Sequence, residues 1–254
     1  MVSAAPWRCS MGCLGNSSSS MKPLRHDLIT LVFFLGCGAL QAQTTISWDF
    51  GTATGSIAAD VNVPVTNLTI SNISSLTGQT LTNASSSVSA GYSGASGGFN
   101  GSFAAVSGAF NSVSSSAFVF TLTPTAGYQV AVTNISLGSR STASGPTALT
   151  LRTSVDGFSA NTYSTIASAN SAWSFVNSGT LTSITGTNSS PLTLRLYGSG
   201  GSSAAAGNWR IDDLSVTLAI TAVPVPEPST YAVILGGIAL AGVMIRKRRQ
   251  QRAA

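Results

Sequence analysis

The stretch WRIDDLSVTLAI, residues 209–220, alternates apolar and polar side chains at period two. Trp209 and Ile211 hold one phase, and Leu214, Val216, Leu218 and Ile220 hold the other, so the pattern slips by one residue at Asp212-Asp213. Period two marks a strand with one buried face, and a slip of one residue is what a β-bulge produces. Aspartate is disfavoured in strands, so two together call for a reason.

The same period runs through most of the chain from residue 43 onward. Ile46, Trp48 and Phe50 alternate with polar neighbours, and Val61, Val63 and Val65 alternate around Pro64 in the manner of an edge strand. Leu68, Ile70 and Ile73 suggest another strand. The Gly/Ser-rich span 82–116, with scattered Tyr92, Phe99, Phe103, Val106 and Phe110, reads as short strands in long loops. Phe118, Phe120 and Leu122 then share a face, with Pro124 and Gly127 marking a turn. Val130 and Val132 are followed by Ile135 and Leu137 in the opposite phase, a second bulge signature. Leu149 and Leu151, Trp173 and Phe175, Leu181, and Leu192, Leu194 and Leu196 give further short strands, with Trp48, Trp173 and Trp209 expected in the core. No stretch of this region shows capped helical periodicity. Nine to eleven short strands bounded by Gly, Ser, Asn and Pro predict an all-β sandwich or jelly roll over 43–222.

Composition agrees with an exported, turn-rich β protein. Charged residues make up 7% of the chain, against about 25% in ordinary soluble domains. The formal charge of +5 comes from the two ends. Between Gln43 and Ile245, Arg140, Arg152, Arg195 and Arg210 face Asp49, Asp60, Asp156, Asp212, Asp213 and Glu227, a net charge of −2. A nucleic-acid partner needs a basic face on the folded domain, and none is expected here. Cys9, Cys13 and Cys37 all precede residue 43, so the β region has no thiol with which to form a disulfide or a thiolate metal site.

The two ends read as targeting segments. Residues 1–20 lack periodicity and form an extension ahead of Met21, which looks like the true start; the alternative is one long basic leader. Residues 21–42 have the layout of a signal peptide, with Lys22, Arg25 and His26, then the apolar Leu28 to Leu40, and cleavage at Ala42. That layout implies Sec export machinery. Cys37 sits where a lipoprotein box would place its cysteine, but Phe34 stands where Leu is usual, and cleavage near Ala42 is favoured. The tail, 223–252, has three parts: Pro226-Glu227-Pro228, an uncharged apolar helix over 229–245, and a basic stretch over 246–252 led by Arg246, Lys247, Arg248 and Arg249. Prolines stiffen an extended spacer, and the basic residues hold the helix end at the cytoplasmic side by the positive-inside bias. The fifteen uncharged residues from Tyr231 to Ile245 span only ~22 Å of a ~30 Å hydrocarbon core, a marginal transmembrane helix.

This tripartite tail resembles the PEP-CTERM sorting signal of bacterial exported proteins, which an exosortase-type enzyme reads in the envelope. The segments Leu151 to Phe158 and Asn208 to Leu214 also look like recurring pieces of exported PEP-CTERM β-sandwich proteins. The resemblance implies a membrane-anchored precursor in the inner membrane, cleavage near Pro226-Glu227-Pro228, and a mature domain at the cell surface or outside the cell. A structural or adhesive role in the exopolysaccharide matrix of a biofilm is the leading expectation, and a carbohydrate-binding, lectin-like module is the alternative.

Site chemistry narrows further by exclusion. The single histidine, His26, lies in the leader, so a Ser-His-Asp or Cys-His arrangement and a His-ligated zinc are out of reach in the β region. No enzyme is expected. Asp212 and Asp213, with Asp49 from the first strand, are candidate Ca²⁺ ligands, set against a plain reading in which the acids accept backbone hydrogen bonds at the bulge or pair with Arg210 or Arg195. Tyr92 and Tyr163, in polar surroundings, are the candidate glycan contacts. No other cofactor is expected.

Overall fold

A computed structural model describes residues 43–48, 50, 65–76, 79–85, 87–167, 169–182, 184–224 and 228–253. All of them belong to one compact unit, Leu40–Ala254. The strands are β1 (Gln43–Trp48), β2 (Leu68–Ile70), β3 (Ser74–Ser75), β4 (Thr82–Ala84), β5 (Asn100–Phe103), β6 (Ala117–Pro124) and β7 (Tyr128–Ser141). They continue with β8 (Ala148–Thr153), β9 (Tyr163–Ile166), β10 (Trp173–Asn177), β11 (Ile184–Thr187), β12 (Leu192–Ser199) and β13 (Trp209–Ala222). A 3-10 turn, Ser154–Asp156, follows β8, and among the described residues there is one α-helix, α1 (Pro228–Ala253).

The strands form two antiparallel sheets. In the first, β13 lies between β7 on one side and β1 with β5 on the other, while β10 and β11 extend β7 and β4 extends β5. In the second, the order is β2-β6-β12-β8-β9, with β3 also beside β6. The sandwich architecture is the expected one. The thirteen described strands exceed the expected nine to eleven because β3, β4, β5 and β11 are pieces of two to four residues, too short to register as alternation. Leu181 is buried but lies between strands, and Val65 flanks the core outside any strand. Val61 and Val63 fall outside the described residues.

Both phase slips appear as bulges. Asp212 pairs with Gly138 and Ser215 with Ser136, leaving one extra residue on β13; Thr217 pairs with Asn134 and Leu218 with Val132, leaving one extra on β7. Each slip returns the apolar set to the inner face. The core between the sheets is aromatic at its centre: the Phe118 ring lies 4.6 Å from Phe103 and 4.8 Å from Trp209, and Trp48 lies 4.9 Å from Phe120. Such fully buried side chains each contribute about 1.5–3 kcal/mol, which is how a domain without disulfides holds together. A Cβ on Gly198 would sit 2.6 Å from the Trp209 ring, so glycine there is a packing requirement.

One core expectation is corrected. Trp48 and Trp209 are fully buried, but Trp173 is not in the core, and Phe175 is 50% exposed while Val176 turns inward. Among the described strands β10 pairs with β7 alone, and the alternation of Trp173 and Phe175 belongs to the outer face.

The helix α1 begins at Pro228 and runs through the basic residues to Ala253, longer than the expected 229–245. Its described side chains, 232–251, are exposed throughout. Among the described residues no helix is long and apolar enough to cross a membrane. The apolar run from Tyr231 to Ile245 reaches only ~22 Å before Arg246 to Arg249. The expected transmembrane helix is therefore present as a helix but not as a full span.

Candidate functional site

The bulge in β13 organises the outer face of the first sheet. Asp213 occupies the left-handed region at φ 47°, which lets one extra residue enter the strand and turns its carboxylate outward. That carboxylate is claimed by the segment between β4 and β5. The Tyr92 hydroxyl donates to Oδ2 at 2.5 Å, the Ser96 amide donates to the same oxygen at 3.2 Å, and the Ser96 hydroxyl donates to Oδ1 at 2.5 Å. Further along the strap, Trp173 Nε1 and Asn100 Nδ2 both donate to the Ser87 carbonyl, at 3.1 and 3.3 Å. Residues 87–99 are thus laid over the sheet and fastened to three of its strands.

Asp212, one residue earlier, is fully buried, and its Oδ1 accepts the Asp213 amide at 2.9 Å. Tyr92 rests on Gly138, where a Cβ would come within 2.1 Å of the hydroxyl. Only glycine allows that approach. Burial, and then the hydrogen bond to Asp213, push the Tyr92 hydroxyl well above its ordinary pKa of 10.0. Beside it, the Tyr92 ring stacks on Phe175 at 6.2 Å and 24°, and tilts against Trp173 at the same distance. Trp173 is also the cross-strand neighbour of Arg140. The result is an aromatic shelf of Tyr92, Trp173 and Phe175, polar at one end.

The expected site residues separate. Tyr92 joins Asp213 at this face, whereas Tyr163 sits in β9 on the other sheet, packed against the core with its hydroxyl donating to the Asn177 carbonyl at 3.2 Å. Asp49, Ala42, Pro226 and Glu227 lie outside the described residues, and Pro228 is the first residue of α1. Arg246, Lys247, Arg248 and Arg249 stand exposed on α1. Among the described residues no group of three His, Cys, Asp or Glu side chains gathers as metal ligands. The site roles of Phe175, Ser96 and Gly138 are not visible in the sequence; the available hint is Tyr92, one of the scattered aromatics of the Gly/Ser-rich span.

An all-β sandwich is continued directly by a helical tail with a basic end. Residues 224–249 match the PEP-CTERM protein-sorting motif, so the chain carries a sorting signal that indicates exosortase-dependent export from a membrane-anchored precursor. No curated protein matches the chain. Among solved structures it is similar to one described as "CBM4 structure and function", at 13% identity and a TM-score of 0.36, covering 59% of this chain and 94% of that one. It is also similar to TmCBM61 in complex with β-1,4-galactotriose, at 12% identity and a TM-score of 0.28, covering 60% and 88%. An arabinose-bound GH51 α-L-arabinofuranosidase matches at 16% identity and a TM-score of 0.37, covering 57% of this chain and 23% of that one.

Proposed function

We propose that the chain is an exported component of the cell surface or its exopolysaccharide matrix, with a structural or adhesive role and no catalytic one. The observation that carries this reading is the join between domain and tail. β13 ends at Ala222 and the sorting motif begins at residue 224, so processing near Pro226-Glu227-Pro228 would leave the sandwich ending almost at its own central strand. Such a product is a module displayed or released as a whole. The region Gln43 to Ala222 has neither histidine nor cysteine to serve as general base or nucleophile.

Intact-mass and terminal-peptide mapping of the protein from envelope and medium of its own cell tests the sorting step. A new C-terminus near Pro226 to Pro228 supports it, and an intact end at Ala254 confined to membranes removes it. Retention of the processed protein by the cell's own exopolysaccharide tests the adhesive role, and free elution would count against it.

A second reading is a glycan-binding module, favoured by the shelf of Tyr92, Trp173 and Phe175, whose half-exposed phenyl ring gives a sugar face an apolar surface. Loss of glycan binding in Phe175→Ala or Trp173→Ala would support it. Ca²⁺ stabilisation through Asp212, Asp213 and Asp49 belongs to this reading and predicts a melting temperature that falls with chelator; an unchanged melting temperature removes it.

A further inference from the structure

The four arginines of the sandwich stand as two cross-strand pairs. Arg140 faces Arg210 across β7 and β13, and Arg152 faces Arg195 across β8 and β12. Like charges directly opposite one another weaken a sheet, so each pair requires compensation. The second pair receives none from an acid: no hydrogen bond or ion pair of Arg152 or Arg195 reaches a carboxylate among the described residues. Arg152 gives Nε–H to Asn161 Oδ1 at 2.9 Å and an Nη1 hydrogen to the Phe158 carbonyl at 2.7 Å, with its guanidinium 4.5 Å from the Phe110 ring centre. The Arg195 guanidinium lies 3.6 Å over the Phe158 ring, and its Nη1 reaches the Tyr197 hydroxyl only at 3.5 Å. Its Nε is buried with no hydrogen-bond partner.

The neighbouring groups are already engaged. The Tyr197 hydroxyl donates to the Ser112 carbonyl at 3.0 Å, and Asp156 accepts the Ala160 amide at 2.8 Å. An aromatic plane orients a guanidinium and attracts it, but leaves the positive charge in place. With Arg152 Nε and Nη1 engaged and Arg195 Nε buried, the donors left for the paired oxygens of a carboxylate are the remaining Nη hydrogens of the two guanidiniums, unneutralised in adjacent strand positions. In a region whose net charge is −2, this concentration of positive charge is local and specific.

We propose that Arg152 and Arg195 form an oxyanion-binding site on the outer face of the second sheet, and that its ligand is a carboxylate-bearing polysaccharide. The choice of a glycan as the carrier rests on the surface role proposed above; the preference for an oxyanion rests on the pair alone. The test titrates the exported protein, purified from its own cell, with polygalacturonate, with the methyl ester of that polymer, with neutral dextran and with polyphosphate. Polygalacturonate binds, its methyl ester binds more weakly, and Arg195→Gln lowers the affinity for polygalacturonate at least about tenfold, the loss expected for a charge-assisted hydrogen bond. Arg195→Lys falls between, because the charge remains and the fork is gone. Melting curves of both variants establish that they are folded, and Arg152 is left unaltered because it anchors the loop at Phe158. Equal binding of the acid and its ester, unchanged affinity in Arg195→Gln, or no binding of polygalacturonate by the folded protein overturns the site. Retention by the cell's own exopolysaccharide would in those cases leave the surface role standing. Tighter binding of polyphosphate than of polygalacturonate overturns the glycan assignment.

Discussion

Asp213 shows how much one residue settles. Its left-handed backbone makes the bulge, and its carboxylate fastens the strap through Tyr92 and Ser96. Asp213→Asn keeps a side chain that tolerates this backbone but loses the charge, and is expected to lower stability by about 1–3 kcal/mol in denaturant unfolding. Gly138→Ala is expected to force Tyr92 off the sheet at a similar cost of about 1–3 kcal/mol, since the intruding methyl has no room. The raised pKa of Tyr92 has a definite sign. The hydroxyl stays protonated longer in the folded state, so its stabilising contribution is complete below the unfolded value of ~10 and fades as pH rises above it. The unfolding free energy measured across the alkaline range should therefore fall less steeply in Tyr92→Phe than in the wild type. At this scale the sequence was only half legible. The doubled aspartate announced a bulge through its broken period, but nothing in a Gly/Ser-rich loop could announce that Tyr92, more than a hundred positions away, would be its partner.

Among the elements, the long strands were the readable ones. β7 and β13 each carry enough alternation for a slip to be visible, and both slips are where the phases of Val132 and Ile135, and of Ile211 and Leu214, place them. The short strand β10 was readable as a strand and misread as to face. Trp173 and Phe175 are apolar and alternate, and a sequence cannot say that their shelter is a strap rather than the core. β4 and β5, at three and four residues, are too brief for any period. The strap itself makes an element-level prediction. Held by the Tyr92 ring contacts, Phe99 and a handful of anchoring hydrogen bonds rather than by a sheet ladder, residues 87–99 should be the segment of the sandwich most open to local release. Limited proteolysis of Asp213→Asn is expected to cut there well before the wild type does, while the rest of the domain stays intact. Simultaneous cleavage throughout the sandwich would show that the strap does not open on its own.

The whole molecule joins a domain stabilised by packing to a tail that signals delivery. The tail was legible because its parts are contiguous; the sandwich was legible as a class because its period is; the outer faces were not, because they are assembled from loops and distant strands. Removing Pro226-Glu227-Pro228 should leave the melting temperature of the sandwich unchanged while abolishing the new C-terminus seen by peptide mapping, since β13 ends before the motif begins. The position of β13 also has a mechanical meaning. The strand nearest the tail is flanked along its length by hydrogen-bonded neighbours, β7 on one side and β1 with β5 on the other. Antiparallel ladder bonds run perpendicular to the strands. Tension applied at the C-terminal end therefore loads both ladders in shear, many bonds at once, rather than peeling them singly.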